Sequence, residues 1–367
     1  MANKMVHRVT RAAGYGMLFV VVVGIIIWSA ILKHEHHTML LTKSLDINIS
    51  DGGECPLADV ESIDRWIREH GQYSDNMKME YLDVGAVERV ALSHSAVASA
   101  NAYVNYDGHA IVDVVLRTPI ARLRIDGYDM YITEDGFLLP TVEDRTAAVP
   151  VITGSYKALF RPNYTGYAEQ MVRDSMASLE RYIESLEDAK LPYYYQLEAN
   201  DSELREALSE SVRKGIFMSQ SDFEILASEL ARRKVAAREL HNTKKREIEA
   251  AIAALSKEQQ ETRLKQRYVQ NVGDDFSALL DFLKSIGNNN FWRAEVVQIM
   301  LNGGGTEHME LSFVPRSGSF VVDLGTVTEL DNKLSNLYRF YHKGLDKLGW
   351  SKYKSISLRY NGQVVCR

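Results

Sequence analysis

The chain has 367 residues, 46% of them hydrophobic and 25% charged, which is the composition of a globular protein. A net charge of -6 and a pI near 6.0 give no sign of a nucleic-acid binder. Two cysteines, Cys55 and Cys366, exclude a disulfide-dense scaffold; a bridge between them stays open, and two separate thiols is the favoured reading.

Residues 1–13 form a short basic tail with Lys4, Arg8 and Arg11. Residues 14–32 follow without a charge, a length suited to a single transmembrane helix. The positive charges ahead of it predict a cytoplasmic N-terminus and an exported remainder. A cleaved signal peptide is the alternative, but Trp28-Ser-Ala-Ile-Leu-Lys33 lacks small residues at both cleavage positions, which favours an uncleaved anchor. In the linker, 33–44, His34-Glu-His-His37 reads as a solvated stretch rather than a metal site, because no rigid element supplies further ligands.

Leu45–Ser50 alternates as a half-buried strand does, and Asp51-Gly-Gly53 breaks it. Pro56–His70 is expected to be a helix, with Val60, Ile63, Trp66 and Ile67 on its apolar side and Gly71 as its stop. A second helix is expected over Asp83–Leu92, with Asp83 as N-cap and Val84, Val87 and Leu92 inward. Ala102–Tyr106, Asp107-Gly108 and His109–Arg117 read as a hairpin. Its return strand puts Ala110, Val112, Val114 and Leu116 on one face and ends at Thr118-Pro119. The order strand, helix, helix, strand, strand is that of a POTRA domain, assigned to 45–119.

Short strands continue over Leu123–Ile125, Tyr128–Thr133 and Phe137–Leu139, and Val149–Gly154 is read as a strand closing at glycine. Glu134-Asp-Gly136 is turn chemistry rather than a catalytic carboxylate pair. This first part of a β-domain, 120–159, gives way to a charged helical insert, 160–271. There Phe223, Leu226, Leu230 and Ala237, then Ile248, Ile252 and Leu255, trace a narrow apolar seam. A helical hairpin or short coiled coil is favoured over a disordered insert, and Pro192 with Tyr193–Tyr195 marks a corner. The β pattern resumes over 272–367: a short helix at Ser277–Ile286, then strands at Glu295–Leu301, Met309–Val314 and Phe320–Leu324. An amphipathic helix is expected over Leu330–Leu345, with Thr328–Asp331 resembling a capping box. Lys354–Tyr360 reads as the last strand, with Ile356, Leu358 and Tyr360 on one face, before Asn361-Gly362 and a short tail.

No nucleophile elbow, phosphate loop, dinucleotide fingerprint or metal spacing is present, so the expected catalytic, cofactor and metal sites are none. Three Asn-x-Ser/Thr triplets, at Asn48, Asn163 and Asn200, matter only in a eukaryotic secretory protein. The fold class is therefore α+β: a single transmembrane helix, a POTRA domain and a mixed β-domain interrupted by a long helical insert.

Three stretches carry a family resemblance: Val87–Leu123 with Arg117-Thr-Pro-Ile-Ala-Arg-Leu123, Tyr131–Pro140 with Val149–Gly154, and Phe291 through Gly349-Trp350 to Arg367. Their order behind an anchor resembles the FtsQ/DivIB family of bacterial cell-division proteins, in the form found in Bacteroidetes. The long helical stretch departs from that family's compact β-domain. The resemblance implies a non-enzymatic scaffold at the division septum of the inner membrane, binding FtsB/FtsL-like partners by strand addition near its C-terminal strand. Carried over by motif, the partner-binding residues are Leu358, Arg359, Tyr360, Asn361, Gly362 and Gln363. For Leu358 and Tyr360 simple core filling is an equal reading; Arg359, facing the other way, is the better contact. A POTRA-bearing envelope-assembly protein and a type II membrane-anchored enzyme remain the alternatives.

Overall fold

In the computed structural model the described residues are 20–31, 44–50, 56–71, 73–105, 107–125, 127–141, 145–156, 160–304, 307–345, 349, 352–360 and 362–367. Outside them lie the tail, the linker with its histidines, Cys55, Trp350, Asn361 and both ends of the expected span. Residues 20–31 are helical, and no helix among the described residues is long and apolar enough to cross a membrane. Contacts divide the chain into two compact units. The first runs to Arg122 and takes in Asp129–Glu134 and Leu139–Pro150; the second holds Leu123–Tyr128, Asp135–Leu138 and Val151–Arg367.

The first unit opens with β1 (Leu45–Ser50), α1 (Val60–His70), α2 (Val84–Ser93), β2 (Val97–Val104) and β3 (Ala110–Leu116). Their sheet has the order β1-β3-β2, with β1 parallel and β2 antiparallel to β3. Parallel neighbours need a crossover, and the two helices supply it. Ala110, Val112, Val114 and Leu116 are buried on one face of β3, as their alternation requires. Helix α1 starts later than expected, because Asp59 and Ser62 close a reciprocal capping box. Its buried face is Ile63 and Ile67; Val60 is exposed, and Trp66 is half-buried with Nε1 donating to Val90 O and Ser93 Oγ. In α2 the Asp83 cap stands, but Val87 and Ala91 are buried and Leu92 is exposed.

Strand β3 ends before Thr118-Pro119 as expected, and β4 (Pro119–Ile125) begins at the proline, which is harmless at a strand's first residue. Strands β5 (Tyr128–Thr133) and β6 (Phe137–Pro140) follow, and β6 pairs with the short β8 (Gly166–Tyr167). Strand β7 (Val151–Tyr156) runs past Gly154 instead of stopping there. Gly154 has φ +113, and a Cβ on it would lie 2.1 Å from the carbonyl oxygen of Leu301, so glycine lets two backbones approach.

That neighbour is β9 (Val296–Gly304), which pairs with β7 in parallel, Val151 opposite Gln298. The pair closes across the helical excursion, with Gln298 Nε2 donating to Thr153 Oγ1 at 2.8 Å. The excursion comprises α3 (Ala168–Asp188), α4 (Leu191–Ser209) and α5 (Gln220–Gly287). Helices α3 and α4 run back along α5, tied to it by Tyr182–Glu258, Lys190–Gln259, Asn200–His241 and Glu203–Lys244 hydrogen bonds. The corner lies at Ala189-Lys190, ahead of the tyrosines, which occupy the start of α4.

The expected short helix at Ser277–Ile286 is not separate. It is the C-terminal part of the 68-residue α5, which passes the expected boundary at Asn271 without a break. Gly273 does not end it but gives α3 close access, Val172 Cγ1 lying 2.9 Å from where a Cβ would be. Val269, Val272, Phe276, Leu279, Phe282, Leu283 and Ile286 are buried, so this end is core while the other is arm.

After α6 (Asn290–Glu295), β9 pairs with β10 (Glu307–Pro315), and β10 with β11 (Val321–Thr326), both antiparallel. Helix α7 (Leu330–Phe340) crosses over to β12 (Ser355–Ser357), parallel to β11. Its expected capping box is absent: the N-cap is Glu329 in a left-handed conformation, with no side-chain cap. A π-turn, Tyr341–Leu345, prolongs the apolar stripe, so Leu334, Leu337, Tyr341 and Leu345 are all buried.

Candidate partner-binding edge

The C-terminal residues, expected as a loose tail, form β13 (Val365–Cys366), antiparallel to β12 with Cys366 opposite Ile356. Asn-Gly between apolar runs signals a hairpin as Asp107-Gly108 does, so this strand was readable from Val364-Val-Cys366. Gly362 has φ +71, and Gln363 N donates to Tyr360 O at 3.1 Å to close the turn.

Strand β13 ends the sheet, since its order there is β13-β12-β11-β10-β9-β7. Ser355 and Arg367 exchange both backbone bonds, at 3.0 and 2.9 Å. The next pair, Ile356 and Cys366, is therefore the non-bonded kind, and the N–H and C=O of Cys366 point away from β12. Among the described residues no strand occupies that side. Cys366 is a free, half-buried thiol, and burial pushes its pKa up.

Of the six residues carried over by motif, Leu358 is 2% exposed and fills the core. Its N–H donates to Asp323 O at 2.8 Å. Tyr360 does not share that face; it is 64% exposed. Gly362 and Gln363 are exposed, and Asn361 lies outside the described residues.

Arg359 is not a free contact. Its Nη1 and Nη2 donate to Glu310 at 2.7 and 2.5 Å, and its Nε to Asp323 Oδ2 at 2.6 Å. The carboxylates raise its pKa, Glu310 first and Asp323 second, so the charge is fixed. The arginine stem crosses Gly325, whose φ is +64 and where a Cβ would sit 2.9 Å from Arg359 Cγ. Lys333 Nζ donates to Leu324 O and Thr326 O at 2.8 and 2.6 Å, closing the end of β11, and burial lowers its pKa. Glu310, Asp323, Gly325 and Lys333 carried no local signal, because they meet Arg359 and β11 only through the fold.

This arrangement has the means for main-chain recognition. Among the described residues no group of His, Cys, Asp and Glu is placed to hold a metal ion.

Residues 247–367 match the family model described as FtsQ/DivIB, C-terminal related. This C-terminal third of the chain is FtsQ/DivIB-like. The matched span begins within α5 and takes in β9 to β13 with the whole Arg359 clamp. FtsQ/DivIB is a non-enzymatic scaffold family, and the match supports a divisome-associated role in cell division. No curated protein matches the chain.

Proposed function

We propose that this FtsQ/DivIB-like protein is a non-enzymatic divisome scaffold that binds FtsB/FtsL-like partners by strand addition at its C-terminal edge. In this reading residues 14–32 are a single-pass inner-membrane anchor with the N-terminus cytoplasmic, residues 45–119 a POTRA domain, and the bulk lies in the periplasm at the septum. The observation that carries the reading is the outward backbone of Cys366 on the last strand, with Tyr360 exposed at the turn of the same hairpin. An added strand gains its main-chain bonds there, and Tyr360 and Gln363 are placed to select its side chains.

The test is co-purification of the full chain from native membranes, with Cys366→Pro and Tyr360→Ala alongside. Proline at Cys366 deletes an outward donor and leaves every β12–β13 bond in place. Small coiled-coil membrane proteins of the divisome are expected with the wild type and lost from Cys366→Pro. Failure to recover any divisome protein sinks the scaffold reading. Recovery that survives both changes moves the edge elsewhere.

A further inference from the structure

The loop between α4 and α5 breaks the usual turn rules. Met218 N donates to Gly215 O at 3.1 Å, which closes a turn whose two central residues are Ile216 and Phe217. Such positions ordinarily hold Gly, Pro, Asn or Asp. Here they hold two large apolar side chains that are 96% and 102% exposed. Local rules broken without a packing gain mark functional sites.

The turn sits at the end of the arm opposite the core. Helix α5 becomes part of the core only near Val269, and Gln220 is about 70 Å away at 1.5 Å per residue. Two cations, Arg213 and Lys214, immediately precede the turn and are exposed. Lys214 Nζ donates at 2.7 Å to the uncharged Gln220, and the acid Glu210 lies three residues before Arg213. The nearest following acid, Asp222, accepts from Ser219 Oγ at the start of α5.

We propose that Gly215–Met218 is a membrane-contacting tip: Ile216 and Phe217 enter the acyl region of an anionic bilayer, while Arg213 and Lys214 meet its phosphates. Projecting apolar side chains can enter a planar, deformable surface without a preformed groove. Lys and Arg beside exposed apolar residues match the charge of acidic headgroups. The overall charge of -6 does not oppose this, because screening confines the interaction to about 8 Å at physiological salt. The inference is independent of strand addition at β13.

The test uses the full chain with Phe217→p-benzoylphenylalanine, reconstituted into vesicles of phosphatidylethanolamine and phosphatidylglycerol and irradiated. Mass spectrometry of the tryptic tip peptide reads the adduct. A lipid adduct is expected at 217 and at least fivefold less at Tyr195, an exposed position on α4, replaced in the same way. Arg213→Gln with Lys214→Gln removes about 1 kcal/mol of attraction per cation, about 2 kcal/mol together, so the adduct should fall about thirtyfold. Pure phosphatidylcholine vesicles should reproduce that fall. A lipid yield at 217 no higher than at 195 overturns the proposal. So does an adduct confined to a second copy of the chain, which would make the tip a self-association site.

Discussion

The guanidinium of Arg359 meets the carboxylate of Glu310 as a two-pronged fork while its Nε reaches Asp323, so one side chain straps the C-terminal hairpin to β10 and β11. The strap is partly wet: the Arg359 and Glu310 side chains are 44% and 37% exposed. Screening therefore limits its worth to about 1 kcal/mol. Arg359→Ala should lower stability by about that amount in a denaturant melt and speed amide exchange at Val365–Arg367. Arg359→Lys should not restore protection, because an ammonium cannot reproduce the fork. Exchange unchanged in both variants would show that the hairpin stands without the strap.

Gly325 is where the strap crosses the backbone. An alanine there carries two burdens, a left-handed backbone and a methyl against Arg359 Cγ. Together they should cost about 2 kcal/mol. In an Arg359→Ala background the steric burden vanishes, so Gly325→Ala should cost less there than in the wild type. Strictly additive losses in a double-mutant cycle would refute the crossing.

Gly154→Ala should be the most damaging single change in the second unit. The added methyl would collide with the backbone carbonyl of Leu301, which cannot swing aside as a side chain can. A loss of about 3 kcal/mol or more is expected. Soluble protein with an undisturbed thermal midpoint would contradict the β7–β9 register.

Asp59 gives the first unit an acid-sensitive joint. Its carboxyl is held below the usual range by the backbone N–H of Ser62 first, then by the Ser62 side chain, and further by Arg145. A depressed carboxyl contributes stability above the unfolded value of about 4, and that contribution is lost as pH falls through the folded value. The thermal midpoint should therefore drop on acidification below about pH 4 in the wild type and drop less in Asp59→Asn. Asparagine still caps α1, so the difference isolates the charge. Parallel curves would rule Asp59 out as the titrating group.

Local chemistry made much of this fold legible. Alternation in Leu45–Ser50 and Ala110–Leu116, the Asp83 cap and the Asp107-Gly108 turn announced the first sheet and its helices. What misled were residues whose local and tertiary meanings differ. Gly154 read as the end of a strand but is a point of close approach between two strands. Thr328–Asp331 offered capping chemistry, yet the chain enters α7 through Glu329. Arg359 read as an outward contact because its acidic partners lie 36 and 49 residues away, beyond any window of periodicity.

The antiparallel course of the helical excursion has a consequence for how such a chain can vary. It leaves from β7 and returns to β9, strands that already touch, so the sheet has no means of sensing how far the excursion travels. Lengthening a closed loop costs only about 0.6 kcal/mol per doubling even when it is unstructured. Matched turns could be subtracted from α4 and the facing stretch of α5, and the register of Val151 on Gln298 would be untouched. The protein thus carries an adjustable boom, whose span can be reset by insertion or deletion while the edge at β13 stays as it is.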